Sequence, residues 1–225
     1  MSDDGTRNAD GAAVADEEAR ERARASRRPD FWEALYLRAE TGWDLGGPTP
    51  VLRAALDTGL LGEPGRIVVP GAGRGYDAVL LAERGFAVTA VDFSASAVAH
   101  LQGEAAARGL EMDVRQQDVF ALEEEPAGCM DACFEYTCFV AIDPALRERY
   151  AALLTHLVRP GGRLLFLAFP LGKESPGPPH GLTLEELEGL FGEAWRWVID
   201  TEAPASVEAR RPMERLVLLE RRAGA

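Results

Sequence analysis

Short apolar segments that suit β-strands alternate with helical segments along most of this 225-residue chain. The strand-like segments are rich in Val, Ile, Leu and Phe, and helical patterns separate them. Such alternation predicts βαβ units, in which parallel strands form one sheet and helices cover both of its faces. The predicted parallel strands are residues 66–70, 86–91, 110–116, 131–136 and 163–169.

Two further strands are predicted near the end of the chain, at residues 195–201 and 215–220. They follow a helix that begins at the capping pair Thr183 and Glu186. A loop that contains proline joins them, and antiparallel strands need only a short connection. We therefore expect a doubly wound α/β fold with a seven-stranded, mostly parallel, Rossmann-like sheet that ends in a hairpin.

The N-terminal segment differs in composition from the rest of the chain. Residues 1–28 are charged and rich in Ala, without apolar periodicity, and they are predicted to form a flexible tail ahead of one domain at residues 29–225. The whole chain has a net charge of −13. An acidic chain repels polyanions, so we expect no nucleic acid or membrane partner. We expect a small-molecule substrate instead, and a monomer or weak dimer.

The cysteines of the chain, Cys129, Cys133 and Cys138, lie close together. An odd number of cysteines cannot form a complete disulfide framework, and it suits a reducing compartment. We therefore expect a cytoplasmic protein. Their spacing on and beside one strand splays the sulfur atoms, so no metal site is predicted.

A glycine-rich turn, Gly71-Ala72-Gly73-Arg74-Gly75, follows the first strand and precedes a helix. Glycine tolerates positive φ and lets a ligand approach the backbone. In open α/β sheets, ligands lie beside this turn at the carboxyl ends of the strands. Counted from Gly73, the spacing to Ala78 also satisfies a dinucleotide fingerprint. The turn alone therefore leaves a nicotinamide dinucleotide and another adenosine cofactor as alternatives.

Acidic residues follow the second and third predicted strands. Asp92 can accept hydrogen bonds from both hydroxyls of a ribose. Asp118 can accept one from an adenine amine, while the apolar Val119 and Phe120 cover the ring. Together with the glycine turn, these acids describe a pocket for a single nucleoside, which is characteristic of class I S-adenosylmethionine-dependent methyltransferases.

Longer motifs resemble the thiopurine methyltransferase superfamily, and most of all its thiol and halide methyltransferase branch. The similarity extends over residues 31–180. The segments that carry it are Trp32-x-x-x-Tyr36, Gly42-Trp43-Asp44-Leu45-Gly46, Pro48-Thr49-Pro50, residues 69–77, Val91-Asp92-Phe93-Ser94, residues 134–142, Arg159-Pro160-Gly161-Gly162, Phe169-Pro170 and Gly177-Pro178-Pro179. The second segment and residues 136–142 are the most specific to the family.

The resemblance implies that S-adenosyl-L-methionine is the cofactor and that Trp32, Tyr36 and Trp43 fold over it. A sulfonium cation is attracted to aromatic faces, which gives this arrangement a physical reason. Tyr136, at the end of the fourth strand, is implied to lie near the departing methyl group, both as a cofactor contact and as the catalytic residue. The other implied cofactor contacts are Gly71, Gly73, Asp92, Phe93, Asp118 and Val119.

The methyl acceptor is less well defined than the cofactor, because the chain departs from the family pattern in three places. Ala72 stands where Cys is frequent, His180 follows the Gly-Pro-Pro motif where an aromatic residue is common, and residues 213–222 match the family ending poorly. We expect a thiol, thiopurine-like or halide acceptor, which needs no strong base. His180 can bind or deprotonate an acceptor. The alternatives are a small-molecule O- or N-methyltransferase, a non-catalytic protein that binds an adenosyl cofactor, and an NAD-dependent oxidoreductase.

Overall fold

The computed structural model describes residues 20–173 and 177–224, and these residues contain a seven-stranded sheet. The strand order is β3-β2-β1-β4-β5-β7-β6. Neighbours from β3 to β5 pair in parallel, whereas β7 pairs antiparallel with both β5 and β6. The strands are β1 (Arg66–Pro70), β2 (Ala87–Asp92), β3 (Asp113–Gln116), β4 (Met130–Tyr136), β5 (Val158–Ala168), β6 (Trp195–Glu202) and β7 (Arg215–Arg221). The predicted doubly wound fold with a terminal hairpin is therefore confirmed.

Helices connect the parallel strands and cover both faces of the sheet. Ser94 begins the helix after β2, because its hydroxyl accepts a hydrogen bond from Ala97 N, and Thr183 begins the last helix in the same way through Glu186 N. The helices of the described residues, apart from a helical stretch at 20–25, are α1 (Pro29–Leu37), α2 (Pro50–Asp57), α3 (Tyr76–Glu83), α4 (Ala95–Ala107), α5 (Cys138–Ala141), α6 (Arg147–Leu157) and α7 (Leu184–Phe191). None of them is long and apolar enough to cross a bilayer.

The core consists of two apolar layers, one on each face of the sheet. Alternate residues of a strand face opposite sides, so Ile67 and Val69 contribute to one layer and Val68 to the other. Helices α2 to α4 pack on the first face, and α6 and α7 pack on the second. Because both faces are covered, the parallel strands are apolar throughout rather than alternating with polar residues.

The structure differs from two of the local predictions. Strand β3 begins at Asp113, later than predicted. Strand β5 begins at Val158, earlier than the predicted residue 163, so Pro160-Gly161-Gly162 lies within the strand although its composition is that of a turn. The register between β4 and β5 passes from Met130 opposite Val158 to Ala132 opposite Arg163, so these residues form a bulge. Gly161 has a φ of +73°, and this conformation turns the backbone without ending the strand.

The segment before α1 packs against the domain. Ser26 is buried, and its carbonyl oxygen accepts a hydrogen bond of 2.8 Å from Nε1 of Trp32. Arg27 forms an ion pair of 2.8 Å with Asp143. The predicted boundary at residue 29 therefore runs through a packed segment, because tertiary contacts that composition does not reveal hold residues 26 and 27. Residues 1–19 of the predicted tail lie outside the described residues.

Replacement of Gly75 by alanine is expected to lower the free energy of unfolding by about 2 kcal/mol. Gly75 has a φ of +78°, and an added Cβ would lie 2.2 Å from Cδ1 of Leu101, which is buried in α4. Strain at a positive φ and overpacking both act against the folded state. Urea unfolding checks this prediction. Gly103→Ala is the matched control, because it adds a methyl group to an exposed position of α4 with open space around it, and it is expected to stabilise the protein slightly. Equal stabilities of the two variants would contradict the prediction.

Candidate active site

A cavity of about 570 Å³ opens where the carboxyl ends of β1, β2 and β4 meet. Strand order reverses between β1 and β4, and ligands of open α/β sheets bind at such a switch point. The cavity is lined by the predicted site residues Trp32, Tyr36, Trp43, Gly71, Asp92, Phe93, Asp118 and Val119. It therefore brings together all the predicted cofactor contacts except Gly73 and Tyr136.

The glycine turn borders this cavity at Gly71. Gly71 and Gly73 have φ angles of +59° and +56°. A Cβ on Gly71 would lie 2.8 Å from the side chain of Cys138, so only glycine fits there. Ala72 N donates a hydrogen bond of 2.9 Å to the Val91 carbonyl, which ties the turn to the end of β2. Bare backbone consequently faces the cavity at this point.

Asp92 ends β2 and faces the cavity beside the turn. Its Oδ2 accepts a hydrogen bond of 2.7 Å from Gly73 N, and its Oδ1 accepts one of 2.9 Å from Ser94 N. Burial raises the pKa of Asp92, and these hydrogen bonds oppose the increase. Each carboxylate oxygen has two acceptor sites, so both oxygens retain capacity for a ligand hydroxyl.

Three aromatic side chains from α1 and the following loop form one wall of the cavity. Trp32 and Trp43 meet edge to face at 5.5 Å, and Tyr36 and Trp43 meet in the same way at 5.6 Å. Nε1 of Trp43 donates a hydrogen bond of 3.3 Å to the Tyr36 hydroxyl. Burial raises the pKa of Tyr36, which keeps this hydroxyl neutral. The wall is therefore a fixed, electron-rich surface.

Glu33 holds the aromatic helix α1 in place, a role for which no motif in the sequence is a signal. Its carboxylate accepts hydrogen bonds from the Ser94 hydroxyl at 2.6 Å and from Ser96 N at 3.0 Å, and the Ser96 hydroxyl donates another. These serine hydrogen bonds lower the pKa of Glu33. The contact joins α1 to the start of α4, which follows directly from the strand that carries Asp92.

The opposite end of the cavity carries the third predicted acid. Asp118 Oδ1 accepts a hydrogen bond of 2.9 Å from Phe120 N and begins the 3-10 helix Val119–Glu124. The side chains of Asp118, Val119 and Phe120 line the cavity there. A carboxylate beside two apolar side chains suits the edge and faces of a purine ring.

Gly73 and Tyr136 lie on a second, smaller cavity of about 60 Å³ on the other side of the turn. The Tyr136 hydroxyl donates a hydrogen bond of 2.6 Å to Glu214 and accepts one from Arg210. Arg210 also lines the large cavity. The structure thus places Tyr136 on the smaller cavity, and its position near the departing methyl group stays a prediction.

Glu135 is fully buried on the other face of β4, because neighbouring side chains of a strand point to opposite faces. It accepts a hydrogen bond of 2.8 Å from Phe139 N and another from the Tyr150 hydroxyl. Burial raises the pKa of Glu135 to about 7. The bond to Phe139 fixes α5, whose residues Cys138 and Val140 line the cavity.

His180 lies behind the cavity wall and is not among its lining residues. It is buried, its backbone N donates a hydrogen bond of 2.7 Å to Val140 O, and burial lowers the pKa of its ring. Cys129, Cys133 and Cys138 are free thiols. Within residues 20–173 and 177–224, no cluster of three or more His, Cys, Asp or Glu side chains is arranged to hold a metal ion.

The large cavity fits the adenosyl part of S-adenosylmethionine. Asp92 offers acceptors for ribose hydroxyls, Asp118 and Val119 suit an adenine, and the aromatic wall suits a sulfonium cation. The bare backbone at Gly71 allows close approach of the group that joins these parts.

Comparison with known proteins identifies the family. The thiopurine S-methyltransferase family profile matches residues 27–216. The chain is 35% identical over 190 residues to probable thiol methyltransferase 2 of Arabidopsis thaliana, with 82% of each chain covered. It is 30% identical over 188 residues to thiocyanate methyltransferase 1 of the same plant, again with 82% of each covered.

A solved structure agrees with the fold. The 1,6-didemethyltoxoflavin-N1-methyltransferase of Burkholderia thailandensis, solved with S-adenosylhomocysteine bound, superposes with a TM-score of 0.68 at 21% identity and 87% coverage of both chains. No dinucleotide-dependent oxidoreductase is needed to explain the glycine turn. The chain belongs to the thiopurine S-methyltransferase family and is an S-adenosylmethionine-dependent methyltransferase.

Proposed function

We propose that this enzyme methylates a small, soft nucleophile, such as a thiol, a thiopurine-like thiol or a halide. The names of the relatives support this acceptor class, because they describe enzymes acting on thiols and thiocyanate. The cofactor supplies an activated methyl group on a sulfonium, and the displacement leaves S-adenosylhomocysteine.

The observation that carries the proposal is the character of the cavity beyond the aromatic wall. Apolar side chains of Ile142, Phe169 and Pro178 lie there together with the basic side chains of Arg210 and Lys173. No imidazole lines the cavity in the described part of the chain. Such a surface attracts an anion and strips it of water, which suits a thiolate or halide better than an alcohol or amine. Two carboxylates, Glu40 and Asp143, also line the cavity, and Asp143 is paired with Arg27.

In this proposal the chain binds, orients and desolvates the reactants. Asp92 accepts hydrogen bonds from the ribose, and Phe93 lies beside that sugar. Asp118 and Val119 contact adenine, and the bare backbone of Gly71 borders the sulfur. The wall formed by Trp32, Tyr36 and Trp43 faces the cation and keeps water away from it.

Calorimetry and an acceptor screen test the proposal. S-adenosylmethionine and S-adenosylhomocysteine are expected to bind, and NAD is not. Iodide, bisulfide, thiophenol and a thiopurine are then offered with S-adenosylmethionine, and methylated products are measured by mass spectrometry. Methylation of phenols or amines without any thiol or halide product would contradict the acceptor class. Cofactor binding without turnover on any acceptor would favour a non-catalytic protein.

The remaining parts of the proposal concern the protein's surroundings. We assign it to the cytoplasm as a monomer or weak dimer with one domain, which comprises the predicted residues 29–225 and also the packed residues 26 and 27. Three free thiols support a reducing compartment. The net charge of −13 supports a small molecule, rather than nucleic acid or membrane, as partner.

A further inference from the structure

Two segments that have no part in the proposed cofactor contacts also line the large cavity. They are the stretch before α1, with Arg22 and Arg27, and the loop after β5, with Phe169, Lys173 and Pro178. A halide is a single atom and fills little of this part of a cavity of about 570 Å³. An acceptor with an organic body would cover the apolar side chains of Phe169 and Pro178 and reach the basic ones.

Arg22 packs against the loop after β5. A Cβ added to Gly177 would lie 3.1 Å from Cδ of Arg22, so the stem of this arginine lies on the loop beside Pro178. Lys173 belongs to the same loop. Both Arg22 and Lys173 are exposed and line the cavity, so they lie at its opening. Two cationic side chains therefore border one loop where an acceptor enters.

The acidic side chains on this side of the cavity already have cationic partners. Asp143 is buried and pairs with Arg27 at 2.8 Å. Glu40 is exposed and pairs with Arg38 at 3.1 Å. These pairs leave neither carboxylate to neutralise a further cation at the opening.

The cations of Arg22 and Lys173 have no such partners. Within residues 20–173 and 177–224, no carboxylate lies within ion-pair distance of either side chain. The whole chain has a net charge of −13, so two unpaired cations at a cavity opening are a local exception to its charge. Such an exception attracts an anionic group to this place and repels a cationic one.

We infer that the acceptor is an organic thiol that also carries a carboxylate, and that Arg22 and Lys173 bind this carboxylate at the cavity opening. The inference rests on the proposed function and narrows its acceptor class. An electron pair of the thiolate sulfur forms the bond to the methyl carbon. The bond from that carbon to the sulfonium breaks, and its electron pair stays on the sulfur of the cofactor. The carboxylate is unchanged by the transfer and orients the acceptor.

Acid and amide forms of one acceptor test the inference on the wild-type protein. The 3- and 4-isomers of mercaptobenzoate are compared with the corresponding mercaptobenzamides, which have a similar shape without the negative charge. The value of kcat/KM is measured for each thiol with S-adenosylmethionine. For at least one isomer the acid is expected to exceed the amide about tenfold, the combined effect of two partly exposed ion pairs.

Arg22→Gln and Lys173→Gln each remove one positive charge and keep a polar side chain. Each is expected to lower the ratio of acid to amide about threefold, and the double variant is expected to bring it to about one. Thiophenol has no second charge, so its kcat/KM is expected to change less than about twofold. Arg53→Gln is the matched control, because Arg53 is exposed on α2 and is not among the lining residues of either cavity. It is expected to leave the ratio unchanged.

A wild-type ratio near one for both isomers would overturn the inference, and so would a high ratio that persists in the double variant. Either result leaves the proposed function intact, because thiophenol and the amides are still methylated. A wild-type protein that methylates none of these thiols and no halide would overturn both the inference and the proposed function.

Discussion

Asp92→Asn is expected to weaken the binding of S-adenosylhomocysteine by about 100-fold. The Asp92 carboxylate faces the large cavity. Its two oxygens accept hydrogen bonds from Gly73 N and Ser94 N, and each can still accept one from a ligand hydroxyl. An asparagine has only one acceptor oxygen. Its amide nitrogen must face one of these two N–H donors, so the variant loses the ribose contact and also disturbs the glycine turn.

Isothermal calorimetry on the purified variant measures the effect. Asp92→Glu keeps two carboxylate oxygens and is expected to recover most of the affinity, because the required feature is the pair of acceptors. Circular dichroism and the melting temperature show whether the asparagine variant is folded. A folded Asp92→Asn protein that binds within threefold of the wild type would exclude ribose recognition by this residue.

The fold was predictable because its strongest constraints are local in the sequence. Buried parallel strands need continuous apolar runs, which are visible in the sequence. Strand β1 ends at residue 70, as predicted, and β2 ends at residue 92, one residue beyond the prediction. The helix caps at Ser94 and Thr183 each accept a hydrogen bond from the backbone N–H three residues later, so a short stretch of sequence is enough to predict them. The start of β5 was predicted too late, at residue 163, because Pro160-Gly161-Gly162 has the composition of a turn. The same composition occurs in a bulge within a strand, which is what these residues form.

The contacts that complete the site join distant parts of the chain, and no local pattern encodes them. Glu33 meets Ser94 across 61 positions, and Arg210 meets Tyr136 across 74. A strand-end tyrosine predicts a side chain near the switch point, but the loop before β7 decides which cavity it faces. Motifs therefore predicted most of the residues that line the large cavity, whereas the presence of a second, smaller cavity required the structure.

The buried carboxyl of Glu135 is expected to make stability depend on pH. Its pKa is about 7 in the folded protein because of burial, against an ordinary value near 4.5. Between these values the unfolded chain has lost the proton while the folded chain keeps it. Stability from this group is therefore fully present below pH 4.5 and is lost as the pH rises through 7.

Glu135→Gln removes this titration and keeps the hydrogen-bonding shape. A glutamine carbonyl accepts from Phe139 N, and its amide donates to the Tyr150 oxygen, as the protonated acid would. The difference in the free energy of unfolding, variant minus wild type, is expected to rise by about 3 kcal/mol from pH 5 to pH 8. Taking the difference between the two proteins cancels other acids with raised pKa values, among them Asp77 and Asp92.

Urea unfolding at several pH values measures the difference, and Glu123→Gln supplies a control of opposite sign. Glu123 is exposed, and its hydrogen bond with Arg149 lowers its pKa, so its contribution to stability is present at neutral pH and lost in acid. A Glu135→Gln difference that is constant from pH 5 to pH 8 would mean that Glu135 ionises at its ordinary value.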